Sequence, residues 1–398
     1  VTTVGEHLDL EITSMAHGGE AIARHAGQVV FVRGGIPGEE VRAEVTSAPE
    51  HGRFIRARVV DIRRASPDRV AAPCRYAGRC GGCDWQHISL PAQRRLKARI
   101  VAEQLSRIGG EPHDRWSALE VEPVAGDVHG LNWRTRMRYS VAADGRAGLR
   151  AHHSHEVIAL DECLIASPRL AGPDILGARW SGVDEVLAVQ PQGKPVVLPD
   201  PRPGQARVTE VAAGRDWSFD ATAFWQVHPG AADALVAAVR ALVEPRAGDH
   251  ILDLYSGVGL FAGAYVEAVG PGGRIDAVEG DDIAVKGARR SLHGESTIHL
   301  HHQRVDRWLR QSPIRRCDIV ILDPPRVGAG RDVMERVARL RPRAIAYVAC
   351  DPAALARDIS TARAHGWELS QLRAFDLFPM THHVECVALL QPRDSLTT

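Results

Sequence analysis

Three groups of residues in this chain have side chains and spacings that could do chemistry, and the sharpest of them is a thiol. Residues 344–358 read AIAYVACDPAALARD: an apolar, β-rich run, then Cys350-Asp351-Pro352, then an Ala/Leu-rich helical stretch. A buried parallel strand that stops at Cys-Asp-Pro and turns into a helix puts its last side chain at the carboxyl edge of a sheet. Open α/β sheets keep their ligands there. A helix N-terminus beside it favours thiolate over thiol. The competing reading is a core cysteine that closes a strand. The second group is PCRYAGRCGGCDWQH, where Cys74, Cys80 and Cys83 follow a C-x5-C-x2-C spacing and Gly81-Gly82 let the backbone wrap closely. Such a run of thiols reads as a metal or cluster site. Its fourth ligand would be Cys163, with His152, His153 and His155 as rivals. All-thiolate ligation favours [4Fe–4S], with zinc left open by spacing alone. The third group is DLYSGVGLFA, which gives Gly257-x-Gly259-x-x-Ala262 directly after a strand, with Glu279 at the end of the next. Backbone amides can approach a ligand at that turn and the acid can take ribose hydroxyls, which suits a dinucleotide or a methyl donor equally.

These groups need elements to carry them. Residues 7–62 hold short β-rich runs (HLDLEITSM, GQVVFVRG, EEVRAEVTSA, FIRARVVDIRR) separated by Gly-Gly and Pro-Gly turns. That spacing predicts a small β-barrel. Its edge carries Arg24, Arg33, Arg53, Arg56 and Arg58, which suit a phosphate backbone. Residues 91–109 predict an amphipathic helix, with Pro91 at its start, Gly109 as its stop, and a basic face opposite Leu96, Ile100, Leu105 and Ile108. In LNWRTRMRYSV aromatic and Arg residues interleave, as in RNA-stacking surfaces or in a strand with one solvated face. From about residue 217 strands alternate with helices. The strands are HILDLYS, RIDAVEG, STIHLHH, CDIVILD, AIAYVAC and VECVALLQ, and the pattern is that of a doubly wound α/β domain. The chain therefore divides into a barrel (1–62), a central mixed α+β iron–sulfur and RNA-contact region (63–216) and an α/β domain (217–398).

A chain of 398 residues is too long for one core, and its 44% hydrophobic and 25% charged content is that of a globular protein. Net charge is zero, so charge as a whole points to no partner, yet residues 51–110 hold thirteen Arg or Lys against four Asp or Glu. No apolar stretch reaches membrane-spanning length and no signal-peptide pattern is present, so the expectation is a cytoplasmic monomer without a membrane partner. Seven cysteines in this arrangement do not form a secreted disulfide scaffold.

The motifs together resemble one family. AHGGEAIARHAGQVVFVRGGIPGEEV and ARVVDI are similar to the TRAM domain, a small RNA-binding barrel. With the C-x5-C-x2-C and distant Cys163, FWQVHP, DLYSGVGLF, DPPR, ACDPAALARD and MTHHVECV, nearly the whole chain resembles the RNA uracil carbon-5 methyltransferases. The resemblance implies a C-terminal Rossmann-like class I methyltransferase domain, S-adenosylmethionine as methyl donor, and a uridine of tRNA or ribosomal RNA as substrate. It implies that Gln226 contacts the donor, Tyr255 lies by the adenosine-binding turn, and Glu279 takes the ribose. It further implies Asp306 near the adenine, Asp323 where donor meets base, and Cys74, Cys80, Cys83 and Cys163 around a [4Fe–4S] cluster. Two positions depart from the family, which commonly has Asn where this chain has His228 and Asp351.

The implied chemistry explains the opening thiol. Carbon 5 of uracil is a poor nucleophile, and a thiolate adding at carbon 6 loads electron density onto it. The adduct must then lose the carbon-5 proton. Cys350 is the expected nucleophile, and Glu385, opening an apolar strand in Thr381-His382-His383-Val384-Glu385, is the expected base. The base must leave its stack to reach them. RNA cytosine carbon-5 methyltransferases usually place a cysteine in the DPP-like motif; here that motif is Asp323-Pro324-Pro325-Arg326, which favours uracil. Two rival readings are a nicotinamide-dependent oxidoreductase, which leaves Cys350 and Glu385 idle, and a non-catalytic iron–sulfur RNA-binding protein.

Overall fold

Alternation of apolar and polar residues builds the first sheet: in His7–Glu11 every second side chain is buried. The computed structural model describes residues 2–48, 54–152 and 154–393, so Arg53 of the basic edge and the rival ligand His153 lie outside the described residues. Six strands form the N-terminal sheet in the order His7–Glu11, Glu40–Ser47, Phe54–Arg64, Gln28–Arg33, Ala21–His25, Ser14–Met15. Their inward residues, among them Leu10, Val30, Val32, Val41 and Ile55, make one apolar core. Arg33 is half-buried, and Arg56 and Arg58 pair with Glu20 and Glu44 at 2.8 and 2.5 Å.

The C-terminal sheet has eight strands. Its order is Ile298–His302, Arg274–Glu279, His250–Leu254, Ile319–Leu322, Ala344–Ala349, Glu385–Pro392, Trp367–Asp376 and Val121–Pro123. The first five are parallel, and Glu385–Pro392 runs antiparallel to both of its neighbours. Successive residues face opposite layers: Ile251, Ile275 and Ile319 enter one core, Leu252, Val278 and Val320 the other. Helices Ala231–Val243 and Asp282–Ser291 cover the first face; Arg331–Arg339 and Pro352–Ala364 cover the second. This is the doubly wound arrangement expected for alternating strands and helices. Trp367–Asp376 and Val121–Pro123 were not marked by the sequence pattern, and the hairpin Arg207–Ala212/Arg215–Asp220 runs across residue 217. Trp217 and Phe219 of that hairpin pack in the same core as Ile251, Ile275 and Ile319.

Helix Leu90–Arg107 joins the two ends of the molecule. Ala92, Leu96 and Ile100 enter the barrel core, and Ala98, Val101 and Leu105 enter the core beneath the large sheet. Arg95, Arg99 and Arg107 of the basic face are exposed, but Lys97 is not part of it. Lys97 is fully buried, and its Nζ donates to Asp376 Oδ1 at 2.6 Å and to the Phe378 carbonyl at 3.1 Å. Gln93, one turn earlier, donates to the Trp85 and Ile88 carbonyls and accepts from Met380 N at 2.9 Å. Ile108 ends the helix instead of packing under it, with 36% of its surface exposed.

The interleaved segment LNWRTRMRYSV is also not an RNA-stacking strip. Trp133 and Tyr139 are buried, and Arg136 donates to the Ala221 and Ala223 carbonyls at 2.6 and 2.7 Å. The strand Arg136–Val141 lies inside a five-stranded sheet with Ala147–Arg150, Val157–Ala159, Glu185–Val189 and Val196–Pro199, so Tyr139 has a core to fill, while Trp133 packs with Ile165 and Met380. No helix among the described residues is long and apolar enough to cross a membrane. Lys97→Ala leaves the buried Asp376 with Arg94 Nε, at 3.1 Å, as its remaining cation, and is expected to destabilise the protein by about 3 kcal/mol, the low end for a broken buried pair. Thermal or denaturant unfolding checks this, and Lys97→Met with Asp376→Leu should recover much of the loss.

Candidate active site

Strand register brings the chemistry-bearing residues to one edge. Leu254 lies level with Val278 and with Leu322, so Tyr255, Glu279 and Asp323 all stand at the carboxyl ends of parallel strands. Strand Glu385–Pro392 runs the other way, pairing Ala349 with Cys386. One step further along, Cys350 stands across from Glu385. Reversal of a single strand thus delivers its first residue to the edge where the others deliver their last.

Burial sets the electrostatics of this edge. Glu385 is only 4% exposed, and burial, then the nearby Asp323 carboxyl, holds its pKa well above the usual carboxylate range. Asp323 is pushed up to about 7 by burial and then by Glu279. Asp253, fully buried in strand His250–Leu254, is also pushed up to about 7 by burial, with Asp323 and Glu279 adding to it; its Oδ2 accepts from Ala262 N at 2.9 Å. The Cys350 thiol is pushed up to about 12 by burial, then by Glu385 and Asp323, while Arg326 pulls it down. This reverses the direction expected from the helix N-terminus. A dipole at the first turn is outweighed by desolvation and two carboxyl groups. The helix itself is capped by Asp351, whose Oδ1 accepts from Ala354 N at 2.8 Å.

The nucleotide-type turn is shaped by positive backbone angles at Tyr255 (φ 63°), Gly257 (56°) and Gly259 (90°). Glu279 braces it: Oε2 accepts from Gly257 N at 2.8 Å and Oε1 from Asp281 N at 2.7 Å, and each oxygen retains a lone pair for a further donor. Asp306, in the first turn of helix Val305–Gln311, is held below the usual carboxylate range by Arg304 and Arg310, which bind it at 3.0 and 2.6 Å. Gln226 is half-buried in the segment after the hairpin. That segment is tied to the central region: Thr135 N and Oγ1 donate to the Val227 carbonyl at 2.8 and 2.9 Å, and Arg136 holds Ala221 and Ala223. His228, one of the two departures, is buried against Trp133 with ring centroids 6.1 Å apart.

The cysteine loop folds onto the same neighbourhood. Cys74, Cys80, Cys83 and Cys163 line one small pocket with Leu149, Leu160 and Leu164, and no described histidine lines it. Burial raises the Cys80, Cys83 and Cys163 thiols, the last to about 11. Gly81 passes so close to the neighbouring strand that a Cβ there would meet the Arg150 carbonyl at 2.8 Å. Asp84, next in the chain, accepts from His382 N at 3.2 Å and contacts His382 Nδ1, while Trp85 N donates to the Met380 carbonyl at 3.0 Å. Among the described residues no three His, Cys, Asp or Glu side chains converge as a closed single-ion site.

Sequence reasoning missed Asp253, Arg326 as a partner of the thiol, and the Asp84–His382 contact. An acid inside the apolar run HILDL was the one available signal for Asp253. The others depend on contacts between segments far apart in the chain.

The fold and this edge define a class I methyltransferase domain joined to a TRAM barrel. The sequence matches the tRNA (Uracil-5-)-methyltransferase family over residues 295–393 and the TRAM domain over residues 1–66. A Streptomyces avermitilis protein described as an uncharacterized RNA methyltransferase is 45% identical, over 98% of this chain and 99% of its own length. The 23S rRNA (uracil(1939)-C(5))-methyltransferase RlmD of Pseudomonas entomophila is 31% identical, over 98% of this chain and 94% of its own. The crystal structure of Pyrococcus abyssi tRNA (uracil-54, C5)-methyltransferase with S-adenosyl-L-homocysteine shares the fold, with a TM-score of 0.69 at 21% identity over 96% of this chain and 99% of that one. The chain belongs to the RNA uracil carbon-5 methyltransferase family.

Asp323 gives a test of the edge's electrostatics. Its folded pKa, raised to about 7, means that the folded state keeps a proton that the unfolded chain releases near pH 4. The stability linked to that proton is fully present below about pH 4 and is lost as pH rises through about 7. Asp323→Asn does not titrate, so its melting temperature should gain on the wild type by a few degrees between about pH 5 and about pH 8. Thermal unfolding at the two pH values measures it; an unchanged difference would contradict the assigned burial.

Proposed function

We propose that this protein methylates carbon 5 of a uridine in tRNA or ribosomal RNA through a covalent adduct at Cys350, with Glu385 as the base. The observation that carries this reading is the register that sets a thiol across from a buried carboxyl at the sheet's carboxyl edge. When bound, S-adenosylmethionine supplies an electrophilic methyl on a sulfonium cation. Glu279, Tyr255, Gln226 and Asp306 are the residues that would hold its adenosine and methionine parts. Asp253, Asp323 and Glu385 form a desolvated acidic surround in which a cation would favour the ionised form of each group, the thiol included.

Cys350, as thiolate, adds through sulfur to carbon 6 of uracil, and the electron pair displaced from the ring double bond becomes available at carbon 5 to take the methyl, whose bond to the sulfonium sulfur would break to leave a neutral thioether. Glu385 then removes the carbon-5 proton; the electrons return to the ring, the carbon–sulfur bond breaks, and methylated RNA leaves a free thiolate. The barrel supports an RNA substrate. Phe54 is exposed, lies edge-on to Phe31 at 5.4 Å, and has the Arg56 guanidinium 5.7 Å from its ring, a platform suited to base stacking and phosphate contact.

Cys74, Cys80, Cys83 and Cys163 fit a [4Fe–4S] cluster better than zinc. A single zinc ion needs its four donors to converge on one point, whereas a cluster takes four thiol ligands set farther apart; the four thiols share this pocket with Leu149, Leu160, Leu164, Gln86 and Glu162, and Gly82 N donates to Cys80 Sγ at 3.4 Å. Such a cluster would tie the loop 74–85 to Cys163 and brace Trp85 and Asp84 against the segment that leads to Glu385.

Cys350→Ala should abolish methylation, measured as labelled methyl transfer to RNA, while donor binding is unchanged. Glu385→Gln should accumulate a protein–RNA adduct on a denaturing gel, since the proton at carbon 5 stays in place. Full turnover in the first variant, or clean product release in the second, would contradict the mechanism. Cys163→Ser should lower iron content and the visible absorption of anaerobically purified protein; zinc in place of iron would show the other metal chemistry. Mapping 5-methyluridine in a deletion strain against its parent identifies the RNA.

A further inference from the structure

One contact beside the nucleophile comes from the far end of the chain. His17 lies in the barrel turn Ala16–Glu20, which is closed by Ala16 N donating to the Glu20 carbonyl at 2.8 Å and Gly19 N to the Ala16 carbonyl at 3.0 Å. This turn is wedged against the other two regions. Trp85 Nε1 donates to the Gly19 carbonyl at 2.9 Å. At Gly19 (φ 84°) a Cβ would stand 2.6 Å from Asp84 Oδ2 and 2.7 Å from His382 Cβ, so only glycine lets the turn seat so deeply. Seated there, His17 Nε2 lies 3.2 Å from Asp351 Oδ2.

Asp351 is the residue after Cys350. Its two oxygens have two different tasks: Oδ1 caps the helix at Ala354 N, and Oδ2 meets His17. Burial lowers the His17 pKa against the opposing pull of Asp351, and His382, Arg326 and Arg357 lower it further. Nε2 and Oδ2 stand within ion-pair distance, and the interaction is a charged one only when the ring is protonated.

We propose that His17 is a positioning residue for the nucleophile: by binding Asp351, the barrel fixes the orientation of the Cys350–Asp351 turn and with it the thiol's line of attack. The proposal rests on Cys350 being the nucleophile. Barrel docking then acts on chemistry as well as on RNA affinity, because the turn that seats the barrel is the turn that carries the imidazole.

The test follows adduct formation with RNA carrying 5-fluorouridine, which has no carbon-5 proton to lose and so stops at the covalent stage. His17→Ala should slow adduct formation on the order of ten-fold, with RNA and donor dissociation constants unchanged. His17→Gln, which can place an N–H where Nε2 stands, should recover most of the rate. Asp351→Ser keeps a helix-capping oxygen but is too short to reach His17; it should slow the reaction similarly, and His17→Ala should then add little. Independent, multiplicative effects of the two substitutions, or a loss in His17→Ala confined to RNA binding, would overturn the proposal. A wild-type adduct rate in His17→Ala, with no adduct in Cys350→Ala, overturns this proposal alone. An adduct in Cys350→Ala overturns the nucleophile assignment and this proposal with it.

Discussion

The arrangement of the whole molecule depends on a buried ion pair between Lys97 and Asp376, with Gln93 beside it. Apolar packing alone would let helix Leu90–Arg107 slide or rotate between its two cores, since dispersion and hydrophobic contact have little direction. A desolvated ammonium with one carboxylate and one carbonyl has only one good position. Gln93 adds three hydrogen bonds one turn away, to Trp85, Ile88 and Met380. Between them the two residues set the barrel, the cysteine loop and the segment Phe378–Thr381 in a single register. That segment leads directly into the strand that begins with Glu385. Desolvating these charges is itself unfavourable, so the pair is better understood as fixing geometry than as adding stability.

The same trade between burial and position governs the reactive edge. Cys350, Glu385, Asp323 and Asp253 are all raised by desolvation and by one another. Such an edge disfavours the ionised forms of its own groups, and a cation placed beside them would reverse that preference.

Much of this was legible in the sequence, and the parts that were not share a cause. Buried parallel strands such as Ile319–Leu322 and Ala344–Ala349 read clearly because they are continuously apolar and end in distinctive motifs. Trp367–Asp376 did not, since Glu368, Gln371 and Arg373 interrupt it and a register shift between Leu369 and Gln371 breaks its alternation. Sequence reasoning places cations on the surface because desolvation opposes burying them. Lys97 and Arg136 defy it through partners 279 and 85 residues away, which no local pattern reveals. Motifs located Cys350 and Glu385, but the direction of the thiol's pKa could not be read locally. The helix dipole is visible in Cys-Asp-Pro; the carboxyls that outweigh it come from other strands.

Strand order has one more consequence, for how the molecule assembles. Glu385–Pro392 inserts between Ala344–Ala349 and Trp367–Asp376, and Val121–Pro123 pairs only with the latter. During synthesis, Trp367–Asp376 emerges before the strand that must separate it from the sheet, and Val121–Pro123 waits through some 240 residues for its neighbour. A half-made chain thus has two unpaired strand edges and a Cys350 thiol without the carboxyl that stands across from it. Completion of this edge and closure of the sheet arrive in one late, non-local step, of the kind that makes folding slow and exposes such edges to mispairing.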